Sequence, residues 1–261
     1  MIKTDFHTHT LYCDGNNTPR EMVLSAIEKG MKAIGFSGHA YTSFDTEWCM
    51  SLENTGKYIA DIDALKSEFS DRIAIYHGAE WDYYSDGPRE KFEYLIGSVH
   101  YIEHDGIRKT VDENKQNFAA LVERLYGGDF FACAEDYYKS VGDVLRKTGA
   151  DIVGHFDLIT KFNEGNSLFD TSDERYIKAW QRAADALLEF KKPFEINTGA
   201  ISRGYRTKPY PAADIIDYIG KRGGIFILSS DSHATKTLLY GFDEWEGYIK
   251  ERGYRLIDSI F

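Results

Sequence analysis

The chain has 261 residues, 43% hydrophobic and 28% charged, with 31 Lys and Arg against 42 Asp and Glu for a formal net charge of -11. This composition excludes a disordered chain and allows a sizeable core. The negative charge argues against a nucleic-acid backbone or an anionic membrane as partner, unless bound metals or a local cationic patch reverse the field.

The first residues, Met1 to Thr10, lack the basic and then apolar stretches of a secretory leader, and no apolar run is long enough to span a bilayer. Cys13, Cys49 and Cys133 are odd in number and far apart, which suits reduced thiols in the cytoplasm rather than a disulfide framework. Only five prolines occur, with no Gly/Ser-rich linker and no repeat, so residues 1–261 are read as one domain. Nothing in the sequence sets an oligomeric state.

In chain order, short β-branched or aromatic runs bounded by Gly or polar residues predict strands at Lys3–His7, Ala33–Ser37, Ile73–Gly78, Tyr94–Val99, Ile152–His155, Phe194–Asn197 and Ile225–Ser229. Amphipathic stretches between them predict helices at Pro19–Lys29, Thr55–Phe69, Asp112–Tyr126, Glu135–Lys147, Ser172–Lys191, Ala212–Arg222 and Glu244–Arg252. Thr18, Pro19 and Glu21 make a good helix start, with a capping box and proline in the first turn, and Gly30 is the stop signal. Seven strands alternating with helices imply parallel βαβ units, and both an open doubly wound sheet and a closed barrel fit. Where the polar residues fall separates the two.

His7, His39, His100 and His155 stand at predicted strand ends, His9 and His233 lie just beyond, and Glu80 and Asp231 occupy equivalent positions. In a parallel barrel those ends converge on one mouth, where such folds build their sites. Imidazole and carboxylate are the ligands favoured by zinc, iron and manganese. His7-Thr8-His9 and Asp231-Ser232-His233 share a spacing that aims both side chains of each pair to one side of an extended backbone. His77, inside a strand, and His104, expected on a loop, are assigned to no metal.

These segments resemble the PHP (polymerase and histidinol phosphatase) family. The resemblance is carried by Asp5-Phe6-His7-Thr8-His9, Gly35-Phe36-Ser37-Gly38-His39, Gly78-Ala79-Glu80, Gly97-Ser98-Val99-His100-Tyr101, Gly154-His155-Phe156-Asp157-Leu158 and Ser230-Asp231-Ser232-His233. It implies a distorted seven-stranded (β/α)7 TIM-like barrel holding two or three divalent ions. On that pattern His7, His9, Glu80 and Asp231 hold one ion, and Glu80 bridges to a second held by His100 and His155. His39 and His233 serve a third, joined by a residue of the loop after His9. Asp14 is the choice there, with Cys13 as the alternative. The stretches Gly154–Phe162 and Glu195-Ile196-Asn197-Thr198, with Arg203 and Tyr210-Pro211, resemble the histidinol-phosphatase branch.

The expected reaction is hydrolysis of a small phosphomonoester, L-histidinol phosphate, to L-histidinol and phosphate. Glu80, Asp231 and His233 are the catalytic candidates, with His233 or a metal-held water as proton donor to the leaving group. Arg203, Lys161 and Arg206 are the candidates for binding substrate phosphate. Glu103, Asp157, Tyr41, Tyr101 and Tyr205 are candidates for a wall around the amine and imidazole. Two other readings are a nucleotide or oligonucleotide phosphodiesterase and a non-catalytic binding module. The acidic charge counts against the first, and the nearly complete ligand set against the second.

Overall fold

The computed structural model describes residues 2–261. The first helix, α1 (Pro19–Glu28), begins as its sequence directs. The Thr18 hydroxyl accepts from the Glu21 backbone while the Glu21 carboxylate accepts from the Thr18 backbone, and Gly30 leaves the helix at a φ of 67°. Around it the chain runs β1 (Thr4–Asp5), β2 (Ala33–Phe36), α2 (Leu52–Glu68), β3 (Ala74–Asp82), β4 (Tyr94–Ser98), β5 (Tyr101–His104), β6 (Ile107–Thr110), α3 (Lys115–Tyr126) and α4 (Phe130–Thr148). It continues as β7 (Ile152–Val153), α5 (Glu174–Leu188), β8 (Phe194–Asn197), α6 (Gly199–Ser202), α7 (Ala213–Lys221), β9 (Ile225–Ser229), α8 (Phe242–Glu251) and β10 (Arg255–Ile257).

One sheet holds β1-β2-β3-β4-β7-β8-β9-β10 in that order, and every neighbouring pair is parallel. The sheet curls until its ends approach. Thr8 bridges Ser232 beyond β1 and β9, with His9 N–H donating to the Ser232 carbonyl at 2.8 Å, and the Thr4 hydroxyl donates to the Asp258 carbonyl beyond β10. The α/β class and the parallel, barrel-like curl agree with expectation, but the expected count of seven strands does not. An eighth, β10, pairs with β9. Three residues are too few to show a period. The β5–β6 hairpin was also unexpected, and it puts His104 in a strand rather than a loop.

Element limits differ where caps or pairing override the local pattern. Helix α4 starts at Phe130 because the Asp129 side chain accepts from the Phe131 and Ala132 backbones, and α2 starts at Leu52 because Ser51 caps it. Strand β3 runs on to Asp82, paired with β4, so Glu80 lies inside a strand rather than after one. Among the described residues no helix is long and apolar enough to cross a membrane.

Within the curl, Phe6, Ala33, Tyr94, Ile96, Ile152 and Ile227 form a buried cluster contributed by five strands or their ends. Each large side chain there stabilises the fold by about 1.5–3 kcal/mol through apolar burial. Tyr94 is its keystone: its hydroxyl lies 2.6 Å from the Phe6 carbonyl and 3.0 Å from that of Phe36. Its ring needs bare backbone on either side, since a Cβ on Gly35 or Gly78 would lie 2.5 or 2.4 Å from Tyr94 atoms. Gly78→Ala is therefore expected to lower stability by about 1–3 kcal/mol through overpacking. Urea denaturation checks this, and an unchanged midpoint would contradict the packing argument.

Candidate metal centre

The parallel strands bring their C-terminal ends to one mouth, and all nine expected ligands meet around Glu80 or touch a residue that does. Glu80 Oε1 lies 2.7 Å from His155 Nε2 and 3.3 Å from His100 Nε2. Its Oε2 lies 3.0 Å from His39 Nδ1, 3.3 Å from His7 Nε2 and 3.6 Å from His9 Nε2. Asp231 Oδ1 is 3.3 Å from His9 Nε2 and 3.8 Å from His7 Nε2. Asp14 joins them through three histidines: its Oδ2 is 3.1 Å from His233 Nε2 and 3.6 Å from His39 Nε2, and its Oδ1 is 3.4 Å from His9 Nδ1.

Three groups have donor atoms within 4.8 Å of one another: His9, Asp14, His39 and His233; His7, His9 and Glu80; and His39, Glu80 and His100. The structure thus brings Asp14 together with His39 and His233, and adds His9 to that group. The Cys13 thiol instead points at His9 Nδ1, 3.6 Å away, and at the Thr10 carbonyl.

The donor set fits divalent ions. His7 Nε2, His9 Nε2 and Asp14 Oδ1 are buried with no hydrogen-bond partner, and all three face the cluster. Buried polar atoms are rarely left so, and a cation would satisfy all three. The electrostatics agree. Burial pushes Glu80 up, but the His100, His39 and His7 charges outweigh it and hold it well below the carboxylate range. Burial pushes His7 down, while Glu195, Asp231 and Glu80 raise it to about 10. His100 is likewise lowered by burial and raised by Glu80 and Asp82, to about 10. On rings held this way protons compete with metal for the ring nitrogens, so loading a dication releases protons.

Two supporting carboxylates went unassigned in the sequence. Glu195 Oε2 lies 2.8 Å from His7 Nδ1, and Asp82 Oδ2 accepts from the His100 backbone at 2.7 Å and lies 3.2 Å from its Nδ1. A usable signal existed: Glu80/Asp82 and Glu195/Asn197 are spaced by two on strands, which puts both members of each pair on one face. Asp231 itself adopts a φ of 48°, the left-handed region that a non-glycine residue enters only when its surroundings hold it there.

Of the cationic candidates, Arg203 reaches the cluster. Its Nη2 lies 3.0 Å from Asp231 Oδ2, and its Nη1 lies 2.7 Å from His233 Nδ1. Lys161 is held by Asp112, with Nζ 2.8 Å from its carbonyl and 3.1 Å from its carboxylate. Arg206 is nearly buried, donating to the Thr160 hydroxyl at 2.7 Å and lying over the Tyr210 ring. Neither touches a candidate ligand. Of the expected wall, Asp157 is fully buried and accepts from the Ala212 backbone, and Glu103 is paired with Arg108. Neither is free to meet an amine.

A cluster of imidazoles and carboxylates at the mouth of a curled parallel α/β sheet defines a metal-dependent hydrolase of the barrel class. The PHP domain model matches residues 5–199, and the chain belongs to the PHP family. It is 30% identical to the Deinococcus radiodurans protein named "Probable histidinol-phosphatase", over 97% of this chain and 95% of that one. It is 26% identical to the Bacillus subtilis histidinol-phosphatase, over 93% of this chain and 98% of that one. A crystal structure of histidinol phosphate phosphatase from Lactococcus lactis, complexed with zinc, L-histidinol and phosphate, superposes with a TM-score of 0.69 at 22% identity, covering 98% of this chain and 95% of that one. At that identity it bears on the fold alone.

Because both Glu80 oxygens face imidazoles, Glu80→Ala is expected to lower metal content more than loss of any single histidine. Elemental analysis of purified variants checks this. Asp14→Ala is expected to lower it by one ion at most and to leave the ion nearest His155 in place. A metal-loaded crystal structure with Asp14 turned to solvent would contradict the Asp14 assignment.

Proposed function

We propose that this chain hydrolyses L-histidinol phosphate to L-histidinol and phosphate, at a centre of two or three divalent ions, zinc, iron or manganese. The observation that carries the reading is the divided Glu80 carboxylate, with one oxygen toward His100 and His155 and the other toward His7, His9 and His39. That is the disposition of a ligand shared by two ions. His7, His9 and Asp231 would complete one position, His100 and His155 the second, and Asp14, His39 and His233 a third. Ions bound there neutralise phosphoryl oxygens and lower the pKa of water, which overcomes the resistance of a phosphomonoester dianion to attack. The similarity to histidinol-phosphatases along nearly the whole chain selects the substrate.

Arg203 is assigned to the substrate phosphate. A neutral His233 ring that uses Nε2 as a ligand carries its hydrogen on Nδ1, where it can donate to the Asp231 carbonyl 3.0 Å away. It then cannot accept from Arg203, so the guanidinium loses that contact and is available to a dianion at the mouth. Lys161 and Arg206 touch no candidate ligand and serve at most as more distant cations for the substrate. His233 would serve a third ion through the Nε2 lone pair; with only two ions bound, a ring that has taken up a second proton on Nε2 could pass it to the leaving alkoxide. Asp231 and Glu80 act as charges that hold the centre together.

Losing one charged hydrogen-bonding partner costs about 1.5–3 kcal/mol, so Arg203→Ala is expected to lower kcat/KM roughly 10- to 200-fold. An unchanged kcat/KM would remove Arg203 from the site. Comparing kcat/KM for L-histidinol phosphate, other small phosphomonoesters and a generic aryl phosphate tests the substrate. Equal values for histidinol phosphate and the aryl ester would leave a metallophosphatase without this specificity.

A further inference from the structure

Glu195 lies on β8 with its side chain fully buried, and the reaction has no direct use for it. Its two oxygens are employed differently. Oε1 accepts from the His155 backbone N–H and from Asn197 Nδ2, the latter at 2.9 Å. Oε2 faces His7 Nδ1 at 2.8 Å. An ionised carboxylate only accepts, so a neutral His7 beside it must carry its hydrogen on Nδ1. The opposite ring nitrogen, Nε2, then presents a lone pair to the cluster, where it is buried, lacks a hydrogen-bond partner and lies 3.3 Å from Glu80 Oε2. Asn197 extends the same support, because its Nδ2 also lies 3.3 Å from Asp231 Oδ2.

We propose that Glu195 is a positioning residue that fixes the Nδ1–H tautomer of His7 and thereby offers Nε2 to a divalent cation. The proposal rests on reading the cluster as a metal centre. The competing account is that Glu195 merely ties β7, β8 and the end of β1 together through three hydrogen bonds.

The isosteric substitution E195Q separates the two. The His155 N–H and Asn197 Nδ2 both require an acceptor, so the glutamine carbonyl oxygen occupies the Oε1 position. Its NH2 group then occupies the Oε2 position and turns an acceptor toward His7 into a donor. His7 can meet that donor only with a lone pair on Nδ1, which moves its hydrogen to Nε2 and closes that atom to metal. The side-chain shape and the strand contacts are preserved.

The full-length chain, stripped of metal and titrated with zinc, provides the test. Bound zinc is counted by elemental analysis, and long-range 1H–15N spectra of the zinc-loaded protein, with His7 assigned through H7N, report the ring. The expected result is zinc on Nε2 and hydrogen on Nδ1 in the wild type, and in E195Q one zinc fewer per chain or about 10- to 100-fold weaker binding at one site. E195Q that binds zinc as the wild type does, or loses only folding stability, overturns the proposal. If E195Q does not fold, the wild-type spectrum decides, since coordination through Nδ1 also overturns it. A wild type that takes up no zinc overturns the metal-centre reading and this proposal together, whereas normal uptake by both proteins removes this proposal alone.

Discussion

Glu80 is 2% exposed, and a carboxylate so enclosed must have its charge met from inside the protein or give up its ionisation. It is met by five imidazoles, from His7, His9, His39, His100 and His155, each delivered by a segment just past a strand end. Its backbone is held as firmly as its side chain. Glu80 N–H donates to the Ser37 carbonyl at 3.0 Å, Ala40 N–H donates to the Glu80 carbonyl at 2.9 Å, and β4 pairs along the other edge. A charge that cannot move forces the histidines to come to it, and the curl of the sheet is what lets them.

The histidines are in turn held by a ring of buried acceptors. Asp82 stands two residues beyond Glu80 and takes both the backbone and the Nδ1 side of His100, and Glu195 takes Nδ1 of His7. Below them Asp5 accepts from the His7 and Ser230 backbones and from the Ser230 hydroxyl, which couples β1 to β9 beneath the mouth. Burial pushes the Asp5 carboxyl up to about 6, against the pull of those Ser230 hydrogen bonds. These supports sit on strands rather than loops, where ladder hydrogen bonds limit their drift, and that rigidity is what a multi-ligand centre needs.

The sequence made the strand ends and the imidazoles legible because both have strong local signals. Ala33–His39 and Tyr94–His100 each place an apolar run, small residues and a histidine in order. Asp14 was legible as the carboxylate in the loop after the His7/His9 pair, and the structure puts it against His39 and His233. What was not legible depends on partners distant along the chain. The extension of β3 through Glu80 to Asp82 follows from pairing with β4. The role of Glu195 depends on His7, 188 residues away, and β10 is a strand only because β9 has a free edge. Asp157 and Glu103 looked available to a substrate amine, yet one is enclosed beside Arg206 and the other is taken by Arg108.

Exposure divides the candidate ligands into an inner and an outer set. The side chains of His7 and His9 are 0% exposed and those of Glu80 and His155 1% and 3%, whereas Asp14, His39 and His233 are 23%, 21% and 18% exposed. The first set is fixed by strands and their buried supports. The second hangs from the loops after His9, after β2 and after β9, with the His233 ring stacked on His9 at 4.1 Å as its link to the interior. On a chain of net charge -11, the outer set is the part of the cluster that solvent reaches first. Arg203 lies at that same rim, with its side chain 30% exposed and against both Asp231 and His233. The partly exposed Asp14, His39 and His233 and the Arg203 guanidinium thus form the rim, and the enclosed Glu80 group lies behind them, where exclusion of water strengthens every charge interaction.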